Sequence, residues 1–156
     1  MIFVSVLAWS AIAPADRVTW WMEVIPAIIG FVILALTRNR FPLTDLLYIL
    51  ILVHAIILMV GGHFTYAEVP AGDWVRDFFG GDRNDYDKLG HFAQGFIPAI
   101  IAREVLIRNR VVVHKGWLAY LVICIVLSFS AFYELIEWWA ALLSKEAADA
   151  FLGTQG

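Results

Sequence analysis

The chain has 156 residues, 62% of them hydrophobic and 16% charged, with a mean hydropathy of +0.78. Soluble domains average about 45–50% apolar residues, so an excess of this size, gathered in long runs, marks a polytopic membrane protein. A net charge of −3 without a basic stripe leaves no nucleic-acid footprint, and the single Cys124 inside an apolar run excludes a disulfide framework and a cysteine-based zinc site.

Five apolar runs follow one another, at about 1–13, 20–37, 43–63, 87–107 and 116–143. Crossing a bilayer takes about 20 residues, a length the last four supply. The first run, MIFVSVLAWSAIA, is short. It is either a signal peptide ending at Ala11-Ile12-Ala13, which lacks a basic leader and meets Pro14 directly, or a first membrane helix that is clipped or tilted. The expected fold is an all-α membrane bundle of about five segments, forming a single integral membrane domain over 1–156 with the lipid bilayer as its partner.

If each run crosses once, 14–19, 64–86 and 144–156 share one side, and 38–42 and 108–115 share the other. The second side concentrates Arg38, Arg40, Arg108, Arg110 and Lys115 in short loops, with Arg103 just inside. The first side spreads Arg17, Arg76, Arg83, Lys88 and Lys145 over longer segments. The positive-inside rule then makes 38–42 and 108–115 cytoplasmic and 64–86 periplasmic. Trp20, Trp21, Trp74, Trp117, Trp138 and Trp139 fall near run ends, where an aromatic belt of anchors belongs.

Within the long outer segment, GDWVRDFFGG places Asp73 as a helix N-cap and Gly80-Gly81 as a stop. Trp74, Val75, Phe78 and Phe79 can share an apolar side, which fits either a short interfacial helix near 73–79 or a collapsed loop with buried aromatics.

Ionisable groups inside a span cost about 2.5–3.5 kcal/mol or more at its centre, so they collect at protein interiors or cavities. Here they cluster. Asp87, His91 and Gln94 follow i, i+4, i+7 on the fourth run, with Lys88 beside them. Ser130, Glu134 and Glu137 repeat that spacing on the fifth. His63 and Tyr66 close the third run as rim members, and Glu23 lies near the start of the second. All of these lie toward one side of the bundle, whichever side that is.

A histidine with two carboxylates can bind a divalent metal ion, with His91, Glu134 and Glu137 as ligands. The same pair types can move protons. Lys88 near the surface can meet a phospholipid phosphate. Against these stands a purely structural network, in which Asp87–His91 is a helix pair and the glutamates lock the bundle through Lys88 or Arg83. Two carboxylates one turn apart, however, need a proton, a base or a metal between them. His54, mid-run, is expected to be a hydrogen-bonded histidine between helices, Glu104–Arg108 an ordinary i, i+4 pair, and Gly61, Gly62, Gly90 and Gly95 points of close helix approach.

GGHFTYAEVP, DRNDYDKLGHFAQGF, ARE, SAFYELIEWWAAL and FLGTQG, together with PADRVTWWMEVIP, resemble the YjdF-like family of bacterial inner-membrane proteins over most of the chain. The resemblance implies an inner-membrane location and a helical fold, and no reaction. In that family the stretch matching Gly153-Thr154-Gln155-Gly156 continues into an acidic, Trp-containing motif and a last helix, and the first span is longer. The chain therefore resembles a fragment missing a last helix and part of the first. The Asp-Lys…His-Phe opening and the late acids are more distantly similar to VanZ-like proteins.

Three functions remain open. The cluster binds a metal ion or a lipid or envelope head group, with His91 as ligand or base and Lys88 as anion contact. Alternatively it is a structural network in a scaffold or partner subunit, with an oligomer as one form. A small transporter is the third, although the sequence has no inverted repeat and only His54 is polar near a midplane.

Overall fold

The computed structural model describes residues 1–143, and their regular elements are all helical. In chain order they are α1 (Ile2–Ser10), α2 (Arg17–Thr37), α3 (Asp45–Phe64), a 3₁₀ turn at Tyr66–Glu68, α4 (Pro70–Phe79), α5 (Tyr86–Arg108) and α6 (Lys115–Leu143). Lys145 and the motif at 151–156 lie outside the described residues.

Local chemistry sets the boundaries. Asp16 caps α2, accepting the Thr19 amide at 2.6 Å. Pro70 opens α4, where a missing amide costs nothing. Gly80 closes α4 in the left-handed region at φ +68°. The helix therefore starts three residues before the expected N-cap, and Asp73 lies inside it, accepting from Arg76 and Asn84.

Among the described residues three helices, Arg17–Thr37, Asp45–Phe64 and Lys115–Ala140, are long and apolar enough to cross a membrane. These three do not confirm the expected count of about five. The nine residues of α1 are too few, and α5 spans 23 residues but carries His91, Gln94, Arg103 and Glu104 along its length.

α3 lies in the middle, packed against α1, α2 and α5, and α6 leans on α5. Trp20, Val24 and Ala27 of α2 meet Ala55 and Met59 of α3, with Phe3, Val6 and Leu7 of α1 alongside. The helical spacing of these residues presents them as one stripe. Trp20 is a core residue rather than a belt anchor: it is 5% exposed, and its indole N–H donates to Ser10 Oγ at 3.1 Å. Burial is affordable here because the polar handle has a partner.

Gly62 lets α2 and α3 close up, since a Cβ there would stand 3.0 Å from the Glu23 Cβ. Gly61 and Gly90 instead make room for a tyrosine ring, and Gly95 has nothing within 4 Å of a Cβ, so it serves no close approach. His54 departs from expectation too: its Nε2 is buried without a hydrogen-bond partner among the described residues.

At the end of the bundle away from α4, Glu104 does more than pair with Arg108 at 2.7 Å. Its two oxygens accept from the amide and hydroxyl of Thr44, at 3.0 and 2.8 Å, at the start of α3. Arg108 in turn donates to the Pro42 carbonyl and lies 4.2 Å over the Phe41 ring. α5 is thereby clamped to the α2–α3 connection.

Candidate functional site

The α4 end of the bundle gathers the start of α2, the end of α3, the start of α5 and the C-terminal half of α6. Tyr66 is its hub. Thr65, at φ 63° and ψ 144°, ends α3 with a positive-φ residue and turns the chain back under the helix. The Tyr66 ring then enters a slot between α3 and α5. A Cβ on Gly61 would stand 2.6 Å from Tyr66 Cζ, and one on Gly90 2.8 Å from Cε1. Only glycine leaves that space on both helices.

From the slot, Tyr66 Oη donates to Glu23 Oε2 at 2.8 Å. Glu23 is 3% exposed, deep in the α2–α3 contact. Burial first, and then the Glu23 charge and hydrogen bond, push the Tyr66 phenol above its usual range, so it stays a donor at physiological pH.

α6 completes the layer. Tyr133 Oη donates to the Met22 carbonyl at 3.1 Å. Met22 is four residues before Pro26, which lies within α2 and has no amide to give. The phenol satisfies the carbonyl that the proline leaves open. Tyr133 also sits within electrostatic range of Glu23, Glu134 and Glu137, and Glu137 within that of Glu23. Among the described residues no basic nitrogen lies within 4.0 Å of Glu23, Glu134 or Glu137.

The other expected members stand elsewhere. Asp87 pairs with Arg83 at 2.6 Å, and Lys88 with Asp85 at 2.8 Å, so Lys88 does not reach the glutamates. His91 is exposed, and neither it nor the half-buried Gln94 and Ser130 makes a side-chain hydrogen bond among the described residues. Glu134 is exposed and Glu137 half-buried. His63 is a strap for α1: its Nδ1 lies 3.0 Å from the Ser10 carbonyl, which fixes that nitrogen as the donor, and Trp9 lies 4.5 Å from its ring. Among the described residues no group of three or more His, Cys, Asp or Glu side chains is close enough to hold a metal ion.

Sequence reasoning named Glu23 only in passing and missed Tyr133. The signal was present, because Ser130, Tyr133 and Glu137 follow i, i+3, i+7 on one face. Asn84 was also missed. It is buried, donates to the Val69 carbonyl at 2.9 Å and to Asp73 at 3.1 Å, and accepts the Tyr86 amide at 3.1 Å, stapling α4 to α5.

A bundle of long apolar helices with a polar layer sunk among them defines an integral membrane protein. Residues 1–156 match the family described as Predicted membrane protein (DUF2238), and the chain belongs to it. It is similar to Inner membrane protein YjdF of Escherichia coli (strain K12), at 55% identity over 151 residues covering 97% of this chain and 72% of that protein. No solved structure matches it.

Proposed function

We propose that the chain is an inner-membrane protein whose α4 end holds a cationic, hydrogen-bond-donating group from a lipid or envelope head group. The observation that carries this reading is the buried Glu23 carboxylate, which accepts from Tyr66 and, like Glu134 and Glu137, has no described basic nitrogen within 4.0 Å. An anionic excess set among membrane helices calls for a proton or a cation. An ammonium, such as that of an ethanolamine head group, brings charge and three donors together.

In this reading α5 is a further crossing between α3 and α6. Its 23 residues span about 34 Å at 1.5 Å per residue. The similarity to YjdF supports the inner membrane, and the arginines in 38–42 and 108–115 support a periplasmic α4 end.

The test is thermal unfolding of the full-length protein in nanodiscs of phosphatidylethanolamine or of phosphatidylglycerol. The stability gain specific to phosphatidylethanolamine should disappear in Glu137→Gln. An equal loss in both lipids favours a second reading, a structural polar lock in a scaffold or partner subunit, for which the Tyr66 wedge between Gly61 and Gly90 speaks. A transporter gains no support, since no hydrogen-bonded chain among the described residues links His91 with His54.

A further inference from the structure

α4 turns its largest side chains away from the protein. Trp74 and Phe78, one turn apart, are 76% and 83% exposed, and Val75 and Phe79 are exposed beside them. Its other side is anchored. Gly72 is buried against Asn84, so closely that a Cβ would stand 1.8 Å from Asn84 Oδ1. Arg76 is tied at 2.9 Å to both Asp73 and Asp77. Between α4 and the start of α5 lies a recess of about 480 Å³, lined by Val75, Phe79 and Leu89 together with the charged Arg76, Arg83 and Asp85. α4 links the end of α3, a helix apolar and long enough to cross the bilayer, to the start of α5. Its aromatic face therefore meets the surrounding medium at the level where α3 leaves the hydrocarbon.

We propose that α4 is an interfacial anchor whose aromatic face lies in the lipid head-group layer, with acyl chains filling the recess beneath it. The occupant is lipid because the exposed face adjoins the boundary where a spanning helix ends, the depth that tryptophan and phenylalanine favour. Asp73, Arg76 and Asp77 sum to −1 and are paired with one another. Attachment is therefore driven by apolar burial and does not depend on anionic lipid. The inference rests on the membrane crossing of α3 and not on the carboxylate layer.

The test uses the full chain in a Cys124→Ser background, with single cysteines at Phe78→Cys and Asp77→Cys carrying a nitroxide. The protein is reconstituted in vesicles of phosphatidylcholine, with and without phosphatidylglycerol. The label at 78 should be relaxed several-fold more by oxygen than by a water-soluble nickel chelate, and the label at 77 the reverse, in both lipids and at low and high salt. Val75→Cys and Phe79→Cys repeat the measurement, so that one misfolded variant does not decide it. Nickel access at 78 equal to that at 77 would place α4 in water and overturn the proposal. A label at 78 immobilised and shielded from both relaxants would mean a covering protein, and would overturn it as well. Oxygen access that appears only with phosphatidylglycerol would overturn the apolar mechanism.

Discussion

Tyr133 of α6 donates its hydroxyl at 3.1 Å to the Met22 carbonyl of α2, the acceptor that Pro26 cannot serve from within its own helix. Two residues far apart in sequence thus share one defect. Tyr133→Phe should cost about 0.5–1.5 kcal/mol, the usual net worth of such a bond. In a Pro26→Ala background the restored amide bonds Met22 internally, and the same substitution should cost clearly less. A double-mutant cycle of thermal unfolding in detergent measures the difference, and equal costs in both backgrounds would sink the assignment.

Tyr66 divides into a ring that fills a slot and a hydroxyl that satisfies Glu23. Tyr66→Phe keeps the ring and leaves the buried carboxyl without its donor, at an expected cost of about 1–3 kcal/mol. Gly61→Ala forces the ring out, because the new Cβ would meet Tyr66 Cζ at 2.6 Å. It should be the more harmful of the two in a melting comparison, losing packing and hydrogen bond together.

The Asn84 staple predicts a local effect. Gly72→Ala cannot be accommodated with Asn84 in place, since the contact would be 1.8 Å. Limited proteolysis should then cut between 70 and 86 several-fold faster than in the parent, while α2 and α3 stay protected. Unchanged cleavage would show that Asn84 does not hold this segment.

Asp16 offers a pH prediction. Burial pushes its carboxyl up, but hydrogen bonding from Thr19 and from the Val18 and Arg17 amides outweighs this and holds it below its ordinary value. A folded pKa below the unfolded one, about 3.9, gives stability that is present above the unfolded value and lost as pH falls through the folded one. Asp16→Asn keeps an acceptor and removes the charge, so it should cost about 0.3–1 kcal/mol at neutral pH. The melting-temperature gap between the two proteins should close in strong acid, and a gap that widened there would contradict the sign.

Glu104→Ala should loosen the opposite end, leaving Thr44 without its side-chain acceptor and Arg108 without its carboxylate while it keeps the Pro42 carbonyl, at about 1 kcal/mol. Faster hydrogen exchange in the first turn of α3 is the specific readout, since loss of a simple α5 surface pair would leave that turn unchanged.

Long helices were legible because apolar runs of twenty residues have one economical structure in a membrane. The charged ends of α5 also gave away its polar side. What the sequence concealed was partnership. Glu23 reads as an acid near a span start until the turn at Thr65 brings Tyr66 back to it. Trp20 reads as a belt residue until Ser10 offers its hydroxyl. His91 and Lys88 have the right spacing for a site, but spacing along one helix does not say which neighbour that face meets. Asn84 is one polar residue in a polar loop, and only its three hydrogen bonds distinguish it.

The long sequence separations of these bonds impose an order on biogenesis. As the ribosome delivers the chain, Glu23 enters the bilayer 43 residues ahead of the tyrosine that pairs with it. The Met22 carbonyl waits 111 residues for its phenol, and the Thr44 hydroxyl 60 for its carboxylate. α2 must therefore be inserted while still incompletely satisfied, and it is the arrival of later helices that locks it.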